Sequence, residues 1–60
     1  MQIEIDREVD GRWIAEVLEL PGVICYAETR ELAIQNAQVL ALRVLADRIE
    51  NGEETTPEDL

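Results

Sequence analysis

The chain has 60 residues and a formal net charge of −9, with 14 acidic residues against five basic ones. A chain of this length forms one domain, and such a domain buries only about 60% of the surface that its unfolded chain exposes. The negative charge argues against direct binding to nucleic acid, whose phosphate backbone it would repel, and favours a basic partner.

The composition also excludes several kinds of catalytic site. The chain contains no Ser, His or Lys, which removes Ser-His-Asp triads, Schiff-base lysines, histidine metal sites and the P-loop lysine. The single cysteine, Cys25, has no neighbouring His or Lys to activate its thiol, so we expect it to behave as a small hydrophobic residue. We therefore predict no catalytic residue, no cofactor and no metal site.

Three features bear on where the protein acts. The start, MQIEIDREVD, lacks the basic residues and apolar run of a signal peptide, and no apolar run is long enough to span a bilayer. A lone cysteine suits a reducing compartment. We expect a cytoplasmic protein.

The chain opens with two predicted strands joined by Val9-Asp10-Gly11. Residues 2–8 alternate between apolar and polar side chains, and residues 12–20 are rich in aromatic and branched side chains. Both patterns are typical of strands. The joining residues are typical of a hairpin turn.

Two registers of this hairpin compete. A two-residue loop pairs Val9 with Arg12 and mixes acidic with apolar side chains on one face. A three-residue loop, with Gly11 left-handed in a bulge, opposes Glu8 with Arg12. We predict the second register because it separates two sets of side chains. The apolar set is Ile3, Ile5, Trp13, Ala15 and Val17, and the polar set is Gln2, Glu4, Asp6 and Glu8.

The remaining elements follow from local signals. Pro21-Gly22 predicts a type II turn, which leads into a third strand over residues 23–27. Thr29 is a suitable N-cap for a helix over residues 30–50, and Asn51-Gly52 predicts its end. The fold class is therefore α+β, a three-stranded antiparallel meander packed by one long helix.

The predicted helix is apolar on two sides. One stripe, suited to cover the sheet, contains Ala33, Ala37, Leu40, Ala41 and Val44, flanked by Ile34 and Leu45. A three-stranded sheet cannot also bury the apolar residues outside that stripe, so we expect them to form an oligomer interface, in a dimer or a tetramer. These residues are Leu32, Val39, Leu42, Ala46 and Ile49.

The acidic strand face has two interpretations. Glu4, Asp6 and Glu8 share one side of the first strand, but alternate residues of a strand lie about 7 Å apart, too far for one small ion without further ligands. We favour a solvated outer face over a Mg²⁺ site. Trp13 likewise is expected to fill the core rather than bind a ligand.

An ordered set of short motifs extends over almost the whole chain. The motifs are Trp13-Ile14-Ala15-Glu16-Val17, Glu19-Leu20-Pro21-Gly22, Glu28-Thr29, Ala33, Asn36-Ala37 and the ending Asn51-Gly52-Glu53-Glu54 with Pro57. In this order, they resemble the HicB-like antitoxin family. The departures are Val23, where many relatives have Cys, Tyr26-Ala27 in place of a polar-Gly pair, and Leu32 and Val39 at helix positions that are often acidic.

This resemblance implies a β-β-β-α-β domain, likened to a truncated RNase H fold, over residues 1–52. Residues 53–60 then form an acidic tail that is a short edge strand or disordered. The family's members bind a small basic HicA-like toxin that cleaves mRNA, and mask its active site. The DNA-binding domain that many members carry is not expected in this chain. The predicted partner-binding residues are the outward acids Glu4, Asp6, Glu8 and Glu16.

Two other functions share the same predicted fold. The chain is either an antitoxin-type module or an orphan HicB-like oligomeric scaffold or regulator with no toxin. A residual metal-dependent nuclease, with Asp6 as its one candidate carboxylate, is the least favoured because the sequence shows no complete set of metal ligands.

Overall fold

A computed structural model of the chain describes residues 1–52, so the predicted tail over residues 53–60 lies outside the described residues. Three strands precede one helix: β1 (Ile3–Arg7), β2 (Trp13–Val17), β3 (Ile24–Ala27) and α1 (Arg30–Glu50). The strands form an antiparallel sheet in the order β1-β2-β3, and α1 packs on one face of it. The α+β class and the meander are confirmed.

The first hairpin has the three-residue loop that the sequence predicts. The backbone N–H of Glu8 donates to the carbonyl of Arg12 at 2.8 Å, and the N–H of Gly11 donates to the carbonyl of Glu8 at 2.9 Å. Gly11 has a φ of +92°, a conformation that side chains with a Cβ rarely adopt. The register, with Ile3 opposite Val17, is therefore confirmed.

Arg12 lies opposite Glu8 in this hairpin, as predicted, but its side chain has another partner. Arg12 pairs with Asp10 rather than with Glu8: its Nε lies 2.8 Å from Oδ2 of Asp10, and its backbone N–H donates to Oδ1 at 3.0 Å. An aspartate in a turn readily accepts hydrogen bonds from the residue two positions on. The guanidinium of Arg12 therefore pairs with the carboxylate of Asp10 in the loop rather than with the cross-strand Glu8.

The second strand is also shorter than predicted: β2 ends at Val17, not at residue 20. The N–H of Leu20 donates to the carbonyl of Val17 at 3.1 Å, which turns the chain at once. The N–H of Val23 then donates to the carbonyl of Leu20 at 3.0 Å across Pro21-Gly22, and Gly22 has a φ of +90°. The Pro21-Gly22 turn is confirmed, but a second turn precedes it and carries Leu20 into the core.

The helix has the predicted bounds and the predicted cap. Oγ1 of Thr29 accepts a hydrogen bond from the N–H of Leu32 at 3.1 Å, which satisfies one of the donors left free at a helix start. At the other end, the N–H groups of Asn51 and Gly52 donate to the carbonyls of Asp47 and Ile49. Local sequence signals therefore set both ends of α1.

The core lies between α1 and the inner face of the sheet. The helix contributes mainly small side chains, which let its backbone approach the sheet closely. Trp13 and Cys25 are half-buried and pack against this core, as expected. The buried residues are Ala15, Val17, Leu20 and Val23 from the sheet and its turn, and Ala33, Ala37, Ala41 and Leu45 from the helix.

We expect Thr29→Ala to lower the free energy of unfolding by about 0.5–2 kcal/mol, because the N–H of Leu32 loses its acceptor. Thr29→Ser keeps a hydroxyl and is the matched control, with most of the stability retained. Urea denaturation followed by circular dichroism measures both. Equal losses for the two variants would show that the cap hydrogen bond does not stabilise α1.

The pKa of Asp10 is lowered from its ordinary value of 3.8, first by the backbone N–H of Arg12 and then by the guanidinium of the same residue. Because the folded carboxyl has the lower pKa, its contribution to stability is present above 3.8 and is lost as the pH falls through the folded pKa. A carboxyl titration by NMR should find Asp10 below 3.8.

In Arg12→Gln, the pKa of Asp10 should rise only part of the way, because the backbone donor at position 12 remains. An Asp10 pKa at its ordinary value in the wild-type chain would contradict the hydrogen-bonded loop.

Candidate protein-interaction surface

The face of the sheet turned away from α1 is the main candidate site. Side chains alternate along a strand, and Ala15 and Val17 lie in the core. Ile14 and Glu16 therefore point to the opposite side. No further helix or strand is present in residues 1–52 to cover that side. We call it the outer sheet face, formed by Glu4, Asp6, Glu8, Arg12, Ile14, Glu16, Ile24 and Tyr26.

The structure brings the four predicted partner-binding acids together. In the β1–β2 ladder, Glu4 lies directly opposite Glu16, and Asp6 lies directly opposite Ile14. All four acids and Ile14 line one shallow depression of about 170 Å³, beside the stem of Arg7. The predicted residues therefore form one continuous surface rather than scattered charges.

These four carboxylates are not neutralised within the described chain. The ion pairs in residues 1–52 join Arg12 to Asp10 and the Met1 amino group to Glu19. Arg7 also lines the depression but forms no ion pair within residues 1–52; its guanidinium lies 5.2 Å from the ring centroid of Trp13, and its Nε lies 3.4 Å from the carbonyl oxygen of Gly11. The depression therefore carries a concentrated negative charge.

The outer sheet face also has an apolar part that the sequence analysis missed. Ile14 faces Tyr26 across the β2–β3 ladder, and Ile24 faces Glu16. Tyr26 is 47% exposed and Ile24 is 40% exposed, and the guanidinium of Arg12 lies 4.8 Å from the ring centroid of Tyr26. The alternation that places Trp13 and Ala15 inward also predicts that Ile14 points outward.

The resulting surface combines two kinds of side chain. Apolar and aromatic groups lie on β2 and β3. The carboxylates that border them lie on β1, just after it at Glu8, and on β2 at Glu16. Protein interfaces commonly have an apolar centre with a polar rim, and aromatic residues are enriched in them. The arrangement is suited to bind a protein that presents basic side chains beside an apolar one.

The five predicted oligomer-interface residues lie on a separate surface. Each is exposed on α1, on the side turned away from the sheet, with Leu42 and Ile49 more than half exposed. They share no contact region with the outer sheet face, because the sheet itself lies between the two surfaces. The full set is Leu32, Val39, Leu42, Ala46 and Ile49.

Among residues 1–52, no group of three or more His, Cys, Asp or Glu side chains is placed to hold a metal ion. Within that range, no helix has both the length and the apolar character needed to cross a membrane.

The chain matches no family model, no curated protein and no solved structure in comparisons with known proteins. The HicB-like resemblance therefore stays a prediction that is based on the motifs.

The pairing of Glu4 with Glu16 should destabilise the isolated domain, because like charges directly opposite each other in a sheet repel. We expect Glu4→Gln and Glu16→Gln each to raise the free energy of unfolding by roughly 0.2–1 kcal/mol. The double variant should gain less than the sum of the two, since one repulsion is removed in all three variants.

Urea denaturation of the four proteins measures this coupling at low salt and again at 1 M NaCl, where the Debye length falls to about 3 Å and the coupling should vanish. Strictly additive effects at low salt would show that the two carboxylates do not interact.

Proposed function

We propose that the chain is a non-catalytic, antitoxin-type binding module that neutralises a small basic HicA-like toxin, an mRNA-cleaving protein, by masking its active site. The observation that carries the proposal is the outer sheet face, where four carboxylates without an ion partner in residues 1–52 border half-buried Ile14 and exposed Tyr26. The HicB-like motifs supply the class of partner.

The charge on this face explains why such a partner would bind. A ribonuclease that holds RNA needs basic side chains to contact phosphates. Carboxylates at intervals of about 7 Å along the first strand are negatively charged, as the phosphates are, and can contact the same basic side chains. Glu4, Asp6 and Glu8 would therefore occupy the groups that otherwise hold RNA, and inhibition would be stoichiometric.

The apolar groups of the outer sheet face would supply binding energy. Complementary charges mainly speed encounter and set orientation, whereas buried aromatic and aliphatic side chains supply much of the binding energy. Ile14 lies between the acids of β1 and the ring of Tyr26. A partner that buries Ile14 would also bring its basic side chains over the carboxylates.

The finer features of the family belong to the same proposal. Residues 1–52 would form the HicB-like domain, with a fold of the truncated RNase H type. The protein would act in the cytoplasm, where a toxin that cleaves mRNA has its substrate.

An orphan scaffold with no toxin is the second candidate function. It is favoured by the exposed apolar side of α1, where Leu42 and Ile49 are more than half exposed. In this alternative, assembly is the function, and the acids of the outer sheet face serve solubility.

The test begins with the tagged full-length chain as bait in a nuclease-treated lysate of the native cells. Mass spectrometry should find one small basic protein, recovered in a fixed ratio. Adding the chain to that purified protein should abolish its cleavage of mRNA at a stoichiometric end point. Recovery of the chain alone would favour the orphan scaffold.

Matched charge reversals then locate the contact. We expect Asp6→Lys with Glu8→Lys to weaken binding by roughly tenfold or more, because both changes set like charges against a basic surface. Asp47→Lys with Glu50→Lys makes the same change in net charge at the far end of α1 and should retain affinity. Circular dichroism checks that both variants fold. Equal affinities would remove the outer sheet face from the interface.

A further inference from the structure

The exposed side of α1 carries a heptad pattern. Six positions, spaced alternately three and four residues apart, extend over almost the whole of this 21-residue helix, which is about 31 Å long. Five of the six are apolar and the sixth is Gln35. A period of 3.5 residues is the pattern by which one helix packs along another. We call these positions the seam: Leu32, Gln35, Val39, Leu42, Ala46 and Ile49.

The seam is not used by the domain's own core. Ala33, Ala37, Ala41 and Leu45 contact the sheet, whereas every seam residue is exposed. Along the seam, Leu32 and Val39 are 44% and 43% exposed, and Leu42 and Ile49 are 56% and 54% exposed. An apolar stripe of this length, beside a core of eight buried apolar residues within residues 1–52, is typical of an association surface.

Charge identifies the occupant as a second copy of the chain. In a twofold interface, the same surface of both copies is in contact, so the surface must not repel an identical surface. The outer sheet face fails this requirement, because its four carboxylates would meet another four. The six seam positions carry no charge at all, although the chain as a whole has a net charge of −9.

An antiparallel pairing of two α1 helices uses every seam position. With the twofold axis between residues 40 and 41, Leu32 faces Ile49 of the second copy, and Val39 faces Leu42 of the second copy. Ala46 then faces Gln35 of the second copy, so the smallest seam residue meets a long one. In this register, Asn36 flanks Arg43 of the second copy, and the amide oxygen of Asn36 can accept a hydrogen bond from it.

A parallel pairing fits less well. It would place Ala46 against Ala46, which leaves a void, and Gln35 against Gln35, which brings two amides into one layer. It would also set two helix dipoles side by side in the same direction, whereas the antiparallel pairing sets each helix end beside the opposite end.

We propose that the chain forms a homodimer through antiparallel packing of α1 along the seam. The two sheets then lie on opposite outer sides of the helix pair, and both outer sheet faces stay uncovered. The dimer does not depend on the toxin proposal, and each copy keeps its own acidic surface free for a partner.

Light scattering of the full chain measures the first consequence, a molar mass of twice 6.8 kDa. Leu42→Glu should halve the molar mass, because a dimer of this variant would bury two carboxylates at the centre of the seam. The helical circular dichroism should persist, because Leu42 is outside the core. Gln38→Glu adds the same charge beside the seam and should stay dimeric. Leu42→Gln tests the same contact without a charge, and should weaken the dimer.

Cysteine cross-linking measures the register, in a Cys25→Ala background that removes the native thiol. Under mild oxidation, Gln35→Cys and Ala46→Cys should each stay uncross-linked alone and form a disulfide-linked dimer when mixed. Cross-linking of each single variant with itself would overturn the antiparallel register. A wild-type mass of 6.8 kDa, or a Leu42→Glu protein that remains dimeric, would overturn the proposal.

Discussion

The contact between a helix lined with alanine and the inner face of a three-stranded sheet determines the rest of this molecule. Ala33, Ala37 and Ala41 recur every fourth residue along α1 and are fully buried. Their small side chains let the helix lie close to Ala15 and Val17. Two layers built in this way share one interior, and the other face of each layer remains uncovered. Residues 1–52 contain no third layer with which to cover them.

The two uncovered surfaces differ in charge, and this difference separates their roles. The outer sheet face concentrates carboxylates around Ile14 and Tyr26, and its charge suits a basic protein while it repels another copy of the chain. The seam of α1 lacks charge and matches itself when the helix direction is reversed. In the two proposals, the domain associates with itself on one side and binds a partner on the other, so the two contacts do not compete.

The acids of the outer sheet face should lower the stability of the domain, and their packing within the domain does not explain why they are present. Glu4 lies directly opposite Glu16, and no cation of residues 1–52 forms an ion pair with either. Arg7 and Arg12 stand at the margins of this face, but each is engaged, one beside Trp13 and one by Asp10 and Tyr26. A basic partner would relieve this repulsion between the carboxylates. The retained acids are therefore consistent with a binding surface, on which they serve to hold a partner rather than to stabilise the free protein.

Local chemistry made much of this architecture predictable from the sequence. Thr29 and Asn51-Gly52 set the ends of α1, and Val9-Asp10-Gly11 together with the apolar alternation set the hairpin register, because caps, turns and periodicity act over a few residues. The same alternation placed Glu4, Asp6, Glu8 and Glu16 outward. The tertiary structure decided what depends on neighbours across the sheet. It joined Arg12 to Asp10, ended β2 at Val17 so that Leu20 could enter the core, and set Ile14 between Asp6 and Tyr26. These outcomes could not be read along the chain, because each depends on which side chains approach one another once three strands pair and a helix covers one of their faces.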